Sequence, residues 1–276
     1  MRIMTKTISN LLNKSLLLVG WLLFSISASA EQQEILIVAD DSYPPYSYVE
    51  NNELKGIYVD LINLAAKRLA KDYKIKFVAM PWKRALQEVK LGNAFAVIPP
   101  YIHSQKRDYI WPYSAALAYE RVVAHCHDSI DLREHLLMQS DKPNKQSINV
   151  GINAGYMILN ERLSEAQSQG LIKVWENRST KANVLKLINR RIDCYLNDPL
   201  STKWVLKGIT ENDSSLNFKE IHQTIEVMVQ TAHIGYSSDE NNRFKFKDDF
   251  VKRFDKALAA VKRENALDKI VAQYVH

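Results

Sequence analysis

The sequence lacks the signatures of several common protein classes. It contains no Gly-x-Ser-x-Gly, no His-Glu-x-x-His and no phosphate-binding glycine loop, so it does not predict a serine hydrolase, a zinc protease or a P-loop protein. Beyond residue 30, no apolar run is long enough for a membrane-spanning helix. Basic residues form no block and no stretch interleaved with aromatic residues, which argues against nucleic-acid binding. Low-complexity segments are also absent, so we expect a globular fold.

The first thirty residues have the pattern of a cleavable signal peptide. Three basic residues are followed by an apolar stretch at 16–24, and residues 25–30 end in the small-x-small pattern that signal peptidase recognises. Cleavage is therefore predicted between Ala30 and Glu31. No cysteine lies near that point, which argues against a lipid anchor. The mature protein is predicted to be soluble and exported, which fits a Gram-negative periplasm.

Net charge says little about partners once the leader is removed. Three of the 37 lysines and arginines lie in the leader, so 34 remain against 31 acids and the surplus falls from +6 to +3. The remaining 246 residues (276 less 30) are enough for one large or two smaller hydrophobic cores.

Only two cysteines, Cys126 and Cys194, are present, and each lies in an apolar, strand-like segment. In an oxidising compartment a disulfide between them would persist. Two buried thiols are the alternative, because free cysteines pack in cores as small apolar side chains. The sequence leaves both possibilities open.

Apolar patterning predicts two successive α/β units. In the first unit, buried strands at 35–39, 75–79 and 95–98 alternate with amphipathic helices that start after Gly56 and at Trp82. Such a βαβαβ order predicts a parallel sheet flanked by helices.

The second unit repeats the pattern without an obvious sequence repeat. Its predicted strands are 121–126, 148–152, 171–175 and 192–196, and its predicted helices follow Gly155, span 180–189 and, as a short helix, follow Pro199. A polar loop at 210–217, short strands at 226–231 and 234–236, a long amphipathic helix through Val261 and a last turn through Tyr274 complete the chain.

Polar residues follow the carboxyl ends of several predicted strands. They are Asp40 and Asp41, the loop at 99–107, Gly155 and Asp198. Ligands of open α/β sheets bind beyond this end of the strands. The two α/β units, followed by segments that look like more of the first, predict two lobes joined by crossing strands, and the polar strand ends predict a ligand cleft.

Seven motifs occur in a characteristic order. They are Asp40-Asp-Ser-Tyr43-Pro-Pro-Tyr46, Gly56-Ile-Tyr-Val-Asp60-Leu, Trp82-Lys-Arg-Ala-Leu86, Ser104-Gln-Lys-Arg107, Val150-Gly151-Ile152-Asn-Ala-Gly155, Ile192-Asp193-Cys-Tyr-Leu-Asn-Asp198 and Phe254-Asp-Lys-Ala-Leu258. Each motif is weak alone, but the ordered set resembles the extracellular solute-binding protein family 3, the polar amino-acid receptors of ABC importers. The resemblance covers nearly the whole mature chain.

The resemblance implies an α/β fold of the two-lobed type II periplasmic binding protein class. Each lobe would be a mainly parallel sheet flanked by helices, and two crossing strands would join the lobes. Residues 31–120 and 226–276 would form lobe 1, and residues 121–225 would form lobe 2.

The resemblance also assigns roles to the polar residues. Arg107 would bind the α-carboxylate of the ligand, because a guanidinium pairs both carboxylate oxygens. Asp198 would take the α-ammonium group from the opposite lobe, so closing the lobes would complete the site. Tyr43 and Trp82 would form aromatic walls. Asp40 stands where receptors for basic side chains carry a further acid.

Gly155 and Tyr156, in the turn of the second unit, complete the predicted ligand-binding set. Two departures from the family pattern lie close to it. Pro99, Pro100 and Ile102 replace small hydroxyl residues that donate hydrogen bonds to the carboxylate, and Met157 replaces a threonine. Proline has no backbone N–H to donate, so part of the expected carboxylate cage is missing.

A third departure is Phe95, which stands where the family usually has aspartate after Gly92. Together the departures leave room for a different polar or aromatic-rich ligand.

Each site residue also has a structural alternative. Arg107 would equally suit a surface ion pair, Asp198 before Pro199 a turn, Tyr43 a rigid packed turn and Trp82 the core stripe of its helix.

The His125-Cys126-His127 motif places two histidines on one strand face, as in some metal sites. No second ligand pair is evident, so we predict neither a metal nor a cofactor.

The sequence predicts a monomeric, non-catalytic periplasmic solute-binding protein that captures an amino acid or similar small polar solute for an inner-membrane ABC permease. Two rival functions remain. One is an enzyme on the same scaffold, a dehydratase or hydrolase; the other is a receptor whose closed form engages a sensor protein in the membrane. Fold similarity does not separate them.

Overall fold

The computed structural model describes residues 31–137, 146–212, 220–239 and 241–275. The predicted signal peptide lies outside these residues, as does most of the predicted loop at 210–217. In chain order, the first elements are β1 (Gln33–Asp40), β2 (Ser42–Tyr43), β3 (Ser47–Glu50), β4 (Glu53–Lys55), α1 (Ile57–Ala66), β5 (Tyr73–Met80), α2 (Trp82–Lys90), β6 (Ala96–Ile98), β7 (Ile110–Tyr113) and β8 (Ala118–His127).

The remaining elements are α3 (Leu132–Leu137), β9 (Ile148–Asn153), α4 (Glu161–Ser168), β10 (Ile172–Asn177), α5 (Thr180–Ile188), β11 (Cys194–Asn197), α6 (Pro199–Asn212), β12 (Ile221–Ala232), β13 (Gly235–Ser237), α7 (Lys247–Arg263) and α8 (Ala266–Val275). A 3-10 turn, Lys67–Leu69, continues α1.

The first sheet has the strand order β5-β1-β6-β13-β7. Strand β1 lies inside the sheet and pairs in parallel with β5 and β6, whereas β13 is antiparallel to both of its neighbours. The interior position explains why residues 37–40 of β1 are all buried. Helices α1, α7 and α8 pack together on this sheet around Phe250 and Phe254, which are fully buried.

The second sheet has the strand order β10-β9-β11-β8-β12. Strand β9 pairs in parallel with β10 and β11, and β8 is antiparallel to β11 and β12. The flanking helices begin with side-chain caps: Asn160 accepts a hydrogen bond from Leu163 N, and Ser179 accepts one from Ala182 N. These two sheets, with their separate cores, are the two lobes.

Two antiparallel strands, β8 and β12, link the lobes. Strand β8 follows the edge strand of the first sheet and enters the second, and β12 returns the chain to β13. Their pairing is irregular near Glu226, where the register shifts twice. The two-lobed α/β architecture with two crossing strands confirms the predicted fold class. The lobe boundaries predicted at 120 and 225 fall inside these two strands and stay a prediction.

The structure differs from the predicted elements mainly in short elements that were not predicted and in elements that are longer than predicted. Residues 42–55, for which no strand was predicted, contain the three-stranded antiparallel sheet β2-β3-β4. Strand β7 and helix α3 were not expected, β12 is twelve residues long rather than six, and α8 is a ten-residue helix rather than one turn. Helix α6 spans fourteen residues, so residues 210–212 are helical rather than part of the expected loop.

Cys126 and Cys194 form a disulfide. The two residues are directly opposite each other in the β8–β11 pair, which brings their Cα atoms within 4.1 Å. The structure thus shows the disulfide rather than two buried free thiols.

Candidate ligand-binding cleft

Arg107 lies in the loop between β6 and β7 and is only 4% exposed. Its guanidinium donates a hydrogen bond to the Gly155 carbonyl oxygen at 2.9 Å, and its central carbon lies 5.5 Å from the centre of the Trp82 ring. No carboxylate in the described part of the chain forms an ion pair with it. Burial lowers the pKa of Arg107, which nevertheless stays charged. A buried cation of this kind is suited to bind an anionic group.

Asp198 follows β11, at the carboxyl end of the strand, and is 5% exposed. One carboxylate oxygen accepts hydrogen bonds from the Tyr46 hydroxyl at 2.8 Å and from the Leu200 and Ser201 backbone N–H groups at 2.9 and 3.1 Å. Asp198 therefore caps α6 while it contacts the first lobe. Burial raises the pKa of Asp198, and these hydrogen bonds oppose the rise.

Asp40 is buried at the end of β1. It accepts hydrogen bonds from the Tyr156 hydroxyl at 2.9 Å and from the Ser42 backbone N–H at 3.0 Å. Burial raises the pKa of Asp40 to about 7. Burial therefore favours the neutral form of this carboxyl group.

Arg107, Asp40 and Asp198 each make one hydrogen bond that joins the two lobes. Arg107 and Asp40 come from the first lobe and contact Gly155 and Tyr156 of the second. Asp198 of the second lobe contacts Tyr46 of the first. The charged residues that the sequence selected thus meet at the interlobe interface, although no hydrogen bond or ion pair joins Arg107 to Asp198 directly.

The space beside Arg107 at the interlobe interface is small, whereas a separate pocket of about 980 Å³ lies between residues of the two lobes such as Tyr48 and Trp204. A cavity of about 20 Å³ remains, which is close to the volume that one water molecule needs. Its lining consists of Tyr43, Trp82, Pro99, Tyr101, His103, Arg107, Tyr156, Met157 and Ile158. Four of the predicted site residues line it, whereas Asp40, Gly155 and Asp198 lie behind this lining.

Tyr156 fills most of the gap between the aromatic walls. Its ring stands edge-on to Tyr43, with ring centres 5.6 Å apart, and edge-on to Trp82, with ring centres 6.2 Å apart. The preceding Gly155 has a φ of +81°, and a Cβ there would lie 2.9 Å from Lys83 Cγ. The turn therefore requires glycine to bring Tyr156 into the cleft.

Of the residues that depart from the family pattern, some line the cavity and others lie away from it. Pro99 lines the cavity, while the Pro100 carbonyl accepts a hydrogen bond from His233 N. Ile102 is 45% exposed, so it does not contribute to the closed interface. Met157 lines the cavity. Phe95 packs among the aromatic rings of the first core instead of facing the cleft.

Glu120 is a cleft residue that the sequence analysis missed. It is the third residue of β8, is 1% exposed, and accepts hydrogen bonds from the hydroxyls of Tyr43, Tyr58 and Tyr101 at 2.5, 2.5 and 2.6 Å. Burial, followed by the nearby Asp198 carboxylate, raises the pKa of Glu120 to about 7. The available signal was a single acid at the start of an apolar strand in a chain with thirteen tyrosines.

The His125-Cys126-His127 motif lies in the core of the second lobe. Cys126 is bonded to Cys194, and His127 Nε2 contacts the Leu187 carbonyl oxygen at 2.7 Å. His125 is 5% exposed, and its Nε2 atom has no hydrogen-bond partner. Among the described residues, no group of three His, Cys, Asp or Glu side chains is arranged to hold a metal ion.

His125 predicts acid sensitivity of the second lobe. Burial lowers the pKa of His125 from 6.5 to about 4, so the unfolded chain binds a proton below pH 6.5 that the folded chain binds only near pH 4. Stability is therefore lost as the pH falls through this window, by about 2 kcal/mol at pH 5 for this group. Urea unfolding at pH 7.5 and pH 5.0 should show a smaller loss for His125→Phe than for the parent. The packing cost of the substitution is the same at both pH values, so it cancels when the two losses are compared. An equal loss of stability in both proteins would contradict the prediction.

Structural comparison defines the class of the fold. The chain is similar to a histidine kinase sensor domain with similarity to periplasmic binding proteins (TM-score 0.67, 14% identity, covering 88% of this chain and 96% of that one). It is also similar to the ancestral amino acid-binding protein AncCDT-1, a precursor of cyclohexadienyl dehydratase (TM-score 0.63, 13% identity, 88% and 96%). A third similar structure is the substrate binding protein of an amino acid ABC transporter (TM-score 0.61, 15% identity, 87% and 98%). The fold is that of a type II periplasmic binding protein, as predicted.

Sequence comparison then gives the family. Residues 35–276 match the model of the bacterial extracellular solute-binding proteins, family 3, and the chain belongs to this family. Comparison with curated proteins gives no significant match. In the described residues, no helix combines the length and the apolar character that crossing a bilayer requires.

Proposed function

We propose that this protein is a periplasmic solute-binding protein that captures an amino acid or similar small polar solute between its lobes. It would deliver the solute to an inner-membrane ABC permease, acting as a monomer without a cofactor. Residues 1–30 would direct export and be removed. Family membership and the similarity to the substrate binding protein of an amino acid ABC transporter support this role.

One observation carries the proposal: a buried guanidinium and buried carboxylates meet at the interlobe interface, each bonded to a group of the opposite lobe. Arg107 would exchange its contact with the Gly155 carbonyl for the solute carboxylate, which forms a stronger, charge-assisted pair. Asp198, now bonded to Tyr46, would receive the solute ammonium group. Arg107 and Asp198 come from opposite lobes, so a solute bound by both would stabilise the closed form.

The other predicted residues would shape the space. Tyr43 and Trp82 would pack on the solute and exclude water, and Asp40 would contribute a further acid. Tyr156 fills the remaining gap and must move when a solute enters, because a cavity of about 20 Å³ holds no amino acid. Gly155 allows this turn to approach Trp82 closely.

A screen of amino acids and related metabolites by thermal shift tests the proposal. A solute that binds only the folded state raises the melting temperature by mass action. Arg107→Ala should weaken the best solute about 100-fold, because a charged hydrogen-bonded pair is lost. The melting temperature of the free protein should fall only modestly, because the lost contacts are one hydrogen bond to Gly155 and the packing on Trp82. Affinity is measured by isothermal titration calorimetry.

Arg84→Ala is the matched control, because this arginine lies on the exposed side of α2 and, among the described residues, pairs with Glu88 alone at 3.8 Å. It should retain the parental affinity. Equal affinities of Arg107→Ala and the parent would show that Arg107 does not bind the solute. A screen in which no solute shifts the melting temperature would contradict the proposed function itself.

Two rival functions have specific support. The similarity to a histidine kinase sensor domain favours a sensing role, in which the closed form engages a membrane receptor. The similarity to a dehydratase precursor, together with cleft carboxyls of pKa about 7, favours an enzyme. Turnover of a bound solute would identify an enzyme. Co-purification with a permease rather than a kinase would identify a transport protein.

A further inference from the structure

The turn formed by Gly155 and Tyr156 occupies the interlobe cleft in the way that a bound molecule would. The Gly155 carbonyl oxygen accepts the hydrogen bond of Arg107 at 2.9 Å, and the Tyr156 hydroxyl donates one to Asp40 at 2.9 Å. The turn thus presents an acceptor to the buried cation of the first lobe and a donor to its buried acid. Only about 20 Å³ remains beside the turn, so the turn and a solute cannot share this space.

The Tyr156 ring also joins the hydrophobic cores of the two lobes. It packs against two apolar clusters of the first lobe, one containing Tyr43 and the other Trp82, and against the main cluster of its own lobe. Separating the lobes would expose this ring and its partners to water, and burial of aromatic surface is favourable. The ring therefore favours the closed arrangement of the lobes without any solute.

Other contacts between the lobes lie outside the cavity. Tyr48 packs on Trp204 with ring centres 5.0 Å apart, and Arg178 of the second lobe pairs with Asp41 of the first at 3.5 Å. The cavity lining includes none of these four residues. Exchange of the turn for a solute would leave these contacts intact, so the exchange is decided inside the cavity.

We propose that the turn of Gly155 and Tyr156 is an internal competitor of the solute: it keeps the lobes closed in the solute-free protein and leaves the cavity when a solute enters. The inference rests on the proposed function only for the molecule that replaces the turn. Solute binds the fraction of molecules in which the turn has left, so the turn lowers the apparent affinity by that fraction. Tyr156 acts against binding, whereas a wall of the site would act for it.

Small-angle X-ray scattering of solute-free protein tests the closed state. The parent is unfolded in guanidinium without a reducing agent, dialysed and refolded, and mass spectrometry confirms that no co-purified solute remains. Its scattering curve should match the curve calculated from the closed structure. Tyr156→Ala should have a larger radius of gyration than the parent. Trp111→Ala is the aromatic control, because Trp111 is 61% exposed on β7, and it should match the parent.

Isothermal titration calorimetry tests the competition. The probes are L-glutamine, L-glutamate and L-arginine, which carry a neutral, an acidic and a basic side chain. A probe that binds the parent should bind Tyr156→Ala at least about tenfold tighter, because the free protein no longer has a ring to expel. Tyr156→Phe keeps the ring and loses only the hydrogen bond to Asp40, so its gain should be smaller, about threefold to tenfold.

The sign of the change separates a competitor from a structural or solute-contacting residue. Weaker or unchanged affinity in both variants overturns the inference, because loss of a wall or a distorted cleft would not strengthen binding. A Tyr156→Ala protein as compact as the parent overturns the closing role of the turn. If Tyr156→Ala does not fold, Tyr156→Phe decides both tests, with a radius of gyration above that of the parent and a tighter affinity as the expected results.

Failure of this inference differs from failure of the proposed function. A parent that binds a probe but is open without it would refute the internal competitor and leave the proposed function standing. A parent that is closed without solute and binds none of the probes would support the closing role of the turn and count against the proposed function.

Discussion

Reduction of the Cys126–Cys194 disulfide should lower the free energy of unfolding by about 4 kcal/mol. The bond closes a loop with a sequence separation of 68 residues. In the chain-entropy model, opening a loop of this length restores that much conformational entropy to the unfolded state. Cys126 and Cys194 are both fully buried, so we attribute the difference mainly to the lost cross-link.

Urea unfolding of the parent with and without a reducing agent measures this effect, with thiol counting by mass spectrometry. The double variant Cys126→Ala/Cys194→Ala is the control, because its unfolding midpoint should not respond to the reducing agent. A parent that is fully reduced and yet unfolds at the oxidised midpoint would contradict the prediction.

The disulfide also bears on the cleft. It joins β8, which carries Glu120, to β11, which leads directly to Asp198. The two carboxylates therefore lie on strands that are covalently tied. We expect reduction to weaken solute binding as well as stability, because the separation of these groups then depends on strand pairing alone.

The strongly periodic parts of the fold could be predicted from the sequence. Residues of β1 form a continuous apolar run because the strand lies inside the sheet, and Trp82, Ala85, Leu86 and Val89 of α2 recur at helical spacing because they share one buried face. The β2-β3-β4 sheet was missed, because its strands have two to four residues and its turns contain Pro44 and Pro45. A usable signal was Asn51-Asn52: both have positive φ, as a two-residue hairpin turn requires.

The residues of the candidate site also differ in whether the sequence could predict them. Arg107 and Asp198 could be selected because they occupy recognisable local motifs. Glu120 could not, because Tyr43 and Tyr58 precede it by 77 and 62 positions and only the tertiary structure brings their hydroxyls to it. The contacts of Asp40 and Arg107 depend on how far the lobes close, which no local pattern encodes.

Gly56→Ala should be among the most damaging single substitutions in the first lobe. Gly56 has a φ of +135° and a ψ of 162°, a region almost restricted to glycine. A Cβ there would lie 2.3 Å from the Tyr46 carbonyl oxygen and 2.8 Å from Ser47 N. These are backbone atoms, so the clash cannot be relieved by a side-chain rotation. We expect a loss of at least about 3 kcal/mol of unfolding free energy.

Gly170→Ala is the control that measures the cost of backbone strain without a steric clash of the kind expected at Gly56. Gly170 also has positive φ, +73°, but a Cβ there would meet nothing within 4 Å. Its substitution should cost only about 1 kcal/mol. Equal costs at Gly56 and Gly170, measured by urea unfolding, would show that the close approach to Tyr46 is unimportant.

The same substitution should also damage the cleft. Tyr46 stacks on Tyr58 with ring centres 4.9 Å apart and donates its hydroxyl proton to Asp198 across the interlobe interface. Displacement of the Tyr46 backbone would move both contacts, whereas Gly170 lies far along the chain in the turn before β10. Gly56→Ala protein that remains folded at low temperature should therefore bind solute more weakly, and Gly170→Ala should bind it with the parental affinity. Parental affinity in both variants would mean that the start of α1 does not position the cleft.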